Sequence, residues 1–520
     1  GRHCGYLPLM SAVARGCDYV FIPEAPPEVG WQSTLAQKLA AGRQAGRRES
    51  IVLVAEGAID HDGNPITAND VCDALEQEMG ERPHLTILGH VQRGGTPSAY
   101  DRWMPTALGY AAVYEVLNQD EDSQPVIIGA RHNRVARLPL MKAVTETRAV
   151  AKFTKAKEYG KAVQARGRSF AEMLEINEVM AAPPTEEPQK KDAKRIAIMH
   201  VGGLAPGMNT AARAAVRLGI AAGHEMLGIY GSFEGLMSGK IKPLGWEDVE
   251  GWGFDGGAEL GTLRQIPRVE EYYAIGRALE EHRIDALMVI GGYNAYLSIN
   301  QMRQETSRYP AFKIPMICVP ASIDNNLPGS EISIGTDSAL NNAVWALDRI
   351  RESAAASRRC FVADAMGRHC GYLSLMSGIA AGAELVYLDE NPYDLQDLTD
   401  DVQMMRDSFQ EGRRLCLVLH NEEAGGRYNR EFIASVFAQE SKGLFDVRHS
   451  ALGHLQQGGE PSPFDRILAT RLVRVAIQEL NTQFAQQRTD PLAVGLSANG
   501  IEPFGLMQMQ EKVDTQVRRP

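Results

Sequence analysis

The segment Gly1-Arg2-His3-Cys4-Gly5-Tyr6-Leu7 returns unchanged as Gly367-Arg368-His369-Cys370-Gly371-Tyr372-Leu373. A second pair follows: GHVQRGG from Gly89 reappears as GHLQQGG from Gly453. Offsets of 366 and 364 residues mark a tandem duplication. This constrains the fold more than any other feature, because what one copy folds into the other must fold into as well. A length of 520 residues alone suggests about three to four domains; the duplication reduces that to two related modules. The register places Gly1 inside the first copy, so the sequence reads as a fragment with an incomplete first module. The expected divisions are 1–148 for the C-terminal part of the first module, 149–194 for a helical segment and linker, and 195–520 for the second module.

Short apolar runs recur at 51–56, 85–89, 126–129, 196–203, 286–292, 316–321, 360–366 and 415–421, each ending in glycine or polar residues. Runs of this length suit parallel strands buried on both faces. Helix patterns separate them at 210–223, 337–353 and 371–382. The alternation predicts an α/β fold of mostly parallel sheets with helices on both faces, and ligands at the carboxyl ends of the strands. Residues 149–180 space Val150, Phe153, Tyr159, Val163, Phe170 and Leu174 as on one helical face, weakened by Gly160 and Gly167. The Pro-rich, charged stretch 181–194 reads as the linker.

Seven cysteines, an odd number, make no disulfide framework and read as thiols in a reducing, cytoplasmic setting. No CxxC or HExxH pair supports a metal site. Arg2 and His3 interrupt any signal-peptide pattern, and no apolar run reaches bilayer length. The net charge of −11 argues against nucleic acid and membrane surfaces as partners. An anionic ligand would need a local cluster of arginines.

Such a cluster is legible. Arg359, Arg368, Arg448 and His454 end apolar runs, and the first copy repeats the pattern at Arg2, His90 and Arg93; guanidinium forks bind phosphate bidentately. Glu56 and Glu422 end runs at matching places, suited to sugar hydroxyls or to helix capping. In 320–326, PASIDNN, a hydroxyl, a carboxylate and two amides gather at a strand end. There Asp324 is placed to accept a hydroxyl proton, and an Asx-turn fits the same residues. The turn GGLAPGMN at 202–209 presents backbone N–H groups to a phosphate or simply turns the chain. The turn at Gly291-Gly292-Tyr293 carries tyrosine where a carboxylate would be needed for Mg²⁺.

Together GRHCGYL, GHVQRGGTPSAYDR (89–102), GHLQQGGEPSPFDR (453–466), GGLAPGMN and PASIDNNLPGS (320–330) resemble the 6-phosphofructokinases of the tandem, eukaryotic, ATP-dependent kind, over essentially the whole chain. The resemblance implies a glycolytic transferase that moves the γ-phosphoryl group of ATP to the 1-hydroxyl of fructose 6-phosphate, using an Asp base, Mg²⁺ and arginines. For the first copy it implies a catalytic Arg2 and a substrate site of Gly1, Arg2, Glu56, His90, Val91, Gln92 and Arg93. His84 stands where the family has an arginine that reaches a neighbouring subunit, with Arg82 nearby as a substitute. The ligands of ATP and Mg²⁺ are expected upstream of Gly1, and the chain alone is expected to lack kinase activity.

For the second copy the resemblance implies a regulatory site for fructose 2,6-bisphosphate. Its contacts would be Arg264, Ser322, Ile323, Asp324, Asn325, Asn326, Arg359, Met366, Gly367, Arg368, Glu422, Arg448, His454, Leu455, Gln456 and Gln457. Leu204 and Tyr293 replace the acidic residues of nucleotide-binding copies, and Gln457 replaces the arginine seen at Arg93. Asp324 and Arg368 keep catalytic-type residues. Subunit-spanning arginines imply a homo- or hetero-oligomer, tetramer or larger. A non-catalytic sugar-bisphosphate sensor and a pyrophosphate-dependent phosphofructokinase are the alternatives.

Overall fold

A computed structural model describes residues 2–120, 123–131, 133–182, 192–426, 428–509 and 513–520. The first module runs α1 (Tyr6–Arg15), β1 (Tyr19–Phe21), α2 (Trp31–Gln44), β2 (Val52–Val54), α3 (Ala68–Met79), α4 (Ala99–Leu117), β3 (Val126–Arg131) and β4 (Arg134–Pro139). Three helices follow: α5 (Leu140–Lys155), α6 (Tyr159–Ala165) and α7 (Arg168–Ala181). The second module begins with β5 (Arg195–Val201), α8 (Met208–Ala221), β6 (Glu225–Ile229), α9 (Ser232–Met237), β7 (Ile241–Pro243), α10 (Tyr272–Glu281), β8 (Ala286–Gly291), α11 (Tyr293–Gln304) and β9 (Met316–Pro320). It continues with α12 (Thr336–Ala356), β10 (Arg359–Ala365), α13 (Tyr372–Ala381), β11 (Leu385–Tyr387), α14 (Leu395–Gln410), β12 (Leu415–Asn421), α15 (Arg430–Glu440), β13 (Asp446–Ala451), α16 (Pro463–Gln486), β14 (Leu492–Ser497) and β15 (Gly500–Gly505).

Continuous apolar runs became strands covered on both faces: every residue of β8, and all of β5 but Arg195, is buried. One sheet has the order β15-β14-β9-β8-β5-β6-β7; its central strands run parallel, and β7 and β15 close the edges antiparallel. The other, β11-β12-β10-β13, is wholly parallel. The duplication holds at the level of register. Tyr19 faces Val52 in the first copy, and Leu385 faces Val418 in the second, both residues shifted by 366.

Three sequence expectations change. The run at 85–89 forms no strand. Its counterpart β13 forms by pairing with β10, and β10 carried back 366 residues falls outside the chain. The run therefore meets no strand edge, and Leu85, Ile87, Leu88 and Val91 lie exposed beside a 3₁₀ turn, Gly89–Arg93. The run at 126–129 belongs to an antiparallel hairpin, β3–β4, not a parallel sheet. The helical stretch 149–180 is three helices rather than one, broken where Lys157 and Gly167 take left-handed backbone (φ 58° and 102°). The boundary at 148 falls inside α5, and 183–191 of the expected linker lie outside the described residues.

The modules share a core that runs from Leu9 to Leu496. Their contact is pseudo-symmetric: α4 packs on α13, and its counterpart α16 packs on α1, the counterpart of α13. The equivalent residues Tyr100 and Phe464 stack on each other at 6.2 Å. Arg102 grips Asp348 through both Nη atoms (2.9 and 2.7 Å), and Asn341 Oδ1 accepts from Ala99 N (2.9 Å). Helix α7 buries Phe170, Met173 and Ile176 against this junction.

Candidate functional site

The second module's site is assembled at the carboxyl ends of β5, β8, β9, β10 and β12, so loops from both of its sheets converge. Burial pushes the Asp324 carboxyl up to about 6; Glu422 adds to the rise, while Arg368 and Arg264 oppose it. These four side chains thus share one electrostatic neighbourhood. The Arg368 backbone N–H donates to Glu422 Oε1 (2.8 Å), and Met366 N–H donates to the fully buried Gln456 Oε1 (2.9 Å). The turn between β10 and α13 bends through Gly367 (φ 131°), where a side chain would overlap Cys370 O, and Arg368 itself is left-handed (φ 50°). A non-glycine residue in that region is costly, and surrounding contacts must hold it. Arg264 and Gln457 both flank Gly203, which brings the glycine turn to the same cleft. His454 and Leu455 are exposed at its rim.

Several expected contacts have other duties. Asn325 is left-handed (φ 53°); its Oδ1 accepts from Ser333 N (2.9 Å) and its Nδ2 donates to Glu331 O (3.0 Å). Asn326 Nδ2 donates to Arg518 O (2.8 Å). Ser322 Oγ accepts from Asp324 N (3.2 Å), and the Ile323 side chain is buried. The local-turn alternative therefore describes much of 322–326, leaving Asp324 as its chemically free member. Arg359 and Arg448 are not brought to the cleft. Arg359 opens β10 and lies about 20 Å of strand from its carboxyl end. Arg448 faces Phe361 in register, and both arginines lean on Asp446 (3.9 and 3.7 Å).

In the first module Arg2 Nε pairs with Glu56 Oε1 at 3.1 Å, both side chains being largely exposed. A side chain at Gly57 would overlap Arg2 O, so the main chain packs tightly there. His90, Val91, Gln92 and Arg93 are exposed on the 3₁₀ turn; Gln92, unlike its counterpart Gln456, is not buried. Gly1 lies outside the described residues. Arg82 is no free substitute at His84: it pairs with Asp73 (2.9 Å) and Glu76 (2.6 Å) on α3.

The residues present do not fit a metal-bound nucleotide in the second module. Tyr293 lies under the Arg518 guanidinium, 5.6 Å from its ring centroid, and no cluster of His, Cys, Asp or Glu able to hold a metal occurs among the described residues. Ala205, Pro206, Gly207, Met208 and Asn209 are buried, so the first turn of α8 faces protein.

Four residues that serve these turns escaped the sequence reading. Glu390 accepts from Gly371 N (2.8 and 3.1 Å), and its counterpart Glu24 accepts from Gly5 N (3.1 and 2.9 Å). The offset of 366 could have revealed this pair. Arg166 and Arg519, which bind the same turns, carry no such signal.

The phosphofructokinase family model matches residues 1–116 and 195–480. The chain is similar to the platelet-type ATP-dependent 6-phosphofructokinase of Homo sapiens, 42% identical over 532 residues, covering 100% of this chain and 68% of that protein. The ATP-dependent 6-phosphofructokinase of Dictyostelium discoideum is 43% identical over 527 residues, covering 100% and 63%. Among solved structures, phosphofructokinase from Saccharomyces cerevisiae matches with a TM-score of 0.95 at 36% identity, covering 100% of this chain and 71% of that one. The Pichia pastoris enzyme in the T-state matches with 0.92 at 33%, covering 100% and 61%.

Proposed function

This chain belongs to the phosphofructokinase family, and from that premise we propose that it serves an ATP-dependent 6-phosphofructokinase, in which the first module binds fructose 6-phosphate and the second senses fructose 2,6-bisphosphate. Relatives at 42–43% identity carry the ATP-dependent name. The pyrophosphate-dependent structures match at 17–18% and share the fold alone.

In the first module Arg2 offers charge to the transferring phosphoryl group, Glu56 accepts from sugar hydroxyls, and His90 and Arg93 meet the sugar phosphate. ATP supplies the phosphoryl group and Mg²⁺ neutralises its charge when bound. The observation that carries the sensor reading is the grouping of Asp324, Glu422, Arg368 and Arg264 in one cleft without a metal-binding carboxylate at Leu204 or Tyr293. A cation pair with an acceptor pair suits a phosphorylated sugar. The apolar Leu204 and the phenol of Tyr293 offer a metal no carboxylate, which argues against transfer there. Arg359 at the far end of β10 and Arg448 in the middle of β13 support an oligomer in which they serve a neighbouring copy. A cytoplasmic setting fits the glycolytic relatives and the free cysteines; no described helix is long and apolar enough to cross a membrane.

Calorimetric titration of the chain with fructose 2,6-bisphosphate tests this. Binding is expected, and Arg368→Ala should weaken it by about tenfold to a hundredfold, the range of a charged hydrogen bond. Equal affinity in parent and variant would defeat the sensor reading.

A further inference from the structure

The two Arg-bearing turns are held in the same way by arginines from the segments that follow the equivalent hairpins β3–β4 and β14–β15. In the second module Arg519 Nη1 donates to His369 O and lies 3.0 Å from Asp389 Oδ2 and 3.4 Å from Glu390 Oε1. In the first, Arg166 Nη2 donates to His3 O while its Nε donates to Glu24 Oε1 (2.7 Å). His3 and His369 are equivalent, as are Glu24 and Glu390 and the Gly5 and Gly371 amides those carboxylates accept from. Arg166 and Arg519 stand 353 residues apart rather than 366, because both follow the equivalent hairpins β3–β4 and β14–β15 and the connecting stretch is shorter in the second copy; Arg166 caps the end of α6 while Arg519 closes a bridge to Asp514.

The segments that follow the same hairpin in the two copies thus deliver the same group to the same carbonyl. The contact is kept although those segments differ in length and in secondary structure, so it answers a need of the turn itself. That need is visible in the geometry. His3 and His369 directly follow Arg2 and Arg368, and Arg368 is held in left-handed backbone that its own covalent preferences oppose. Glu24 is almost fully buried (side chain 1% exposed) and Arg166 is its ion-pair partner at 2.7 Å. The same segment in the second module also ties down the loop carrying Asp324, since Arg518 O accepts from Asn326 Nδ2.

We infer that Arg166 and Arg519 are positioning residues, one per module, that fix the His3 and His369 carbonyls and so aim the Arg2 side chain at the transferring phosphoryl group and the Arg368 side chain at a phosphate of the sugar bisphosphate. The inference rests on the reading of Arg2 and Arg368 as phosphate ligands. The test uses the full chain and fructose 2,6-bisphosphate in calorimetry, with Arg519→Ala, Arg519→Lys and Arg368→Ala alongside the parent. Arg519 is partly exposed, so its variants should fold, and their thermal unfolding is recorded in parallel. Arg519→Ala is expected to raise Kd about tenfold, with Arg519→Lys, which keeps charge and a donor, recovering part of the loss. An Arg519→Ala variant that unfolds earlier but binds within twofold of the parent, while Arg368→Ala loses binding, overturns the positioning role and leaves the site reading standing. Unchanged binding in Arg368→Ala overturns both.

Discussion

His200 shows how far one residue can depart from its ordinary chemistry. It sits in β5 among apolar neighbours, fully buried, and burial pushes its imidazole down to about 4. The folded state therefore prefers the neutral ring. Its contribution is intact above the unfolded pKa of 6.5 and is lost as pH falls toward 4, about 3 kcal/mol in total at 1.36 kcal/mol per unit. In urea unfolding the parent should lose about that much more stability between pH 6.5 and 4 than His200→Leu; parallel losses would contradict it. Residue identity was legible throughout the sequence, but residue duty was less so. Arg368 and Glu422 were assigned to one site and meet there. Arg359 has the right chemistry, yet the length of β10 carries it away from the cleft, and Arg448 leans on Asp446 from the middle of β13; a linear sequence does not say which end of a strand holds the ligand. Arg166 and Arg519 were hidden because the segments that carry them differ in length between the copies, so no constant offset links them.

Among elements, legibility followed burial. β12 was placed to the residue, Leu415–Asn421, because a strand covered on both faces reads as a near-continuous apolar run, here Leu415 to Leu419 before the polar His420 and Asn421. The three-residue strands β1 and β11 left no such pattern. The run at 85–89 taught the opposite lesson: it carries an apolar signature that its counterpart β13, Asp446–Ala451, lacks, but hydrogen bonding to a neighbour, not composition, makes a strand. β13 has β10 beside it; the earlier run has no neighbour among the described residues, and Ile87 is 78% exposed. In hydrogen exchange followed by mass spectrometry, peptides covering 82–88 should exchange orders of magnitude faster than those covering β13. Comparable protection would mean that 82–88 is paired after all.

For the whole molecule the duplication set the architecture, and the register shift of 366 between β1–β2 and β11–β12 repeats it in three dimensions. What the repeat did not disclose is the crossed packing of α4 on α13 and α16 on α1, since contacts between copies leave no mark in either copy alone. The α4–α13 side is locked by Arg102 and Asp348. A double-mutant cycle of Arg102→Ala and Asp348→Ala should return a coupling of about 1 kcal/mol in unfolding free energy; zero coupling would reduce the pair to ornament. The crossed arrangement has a further consequence. Were the copies separate chains, Tyr100 would find Phe464 only as often as dilution allowed. Carried on one polypeptide, the partner is present at a fixed effective concentration, so this association cannot be diluted away, whatever the abundance of the protein around it.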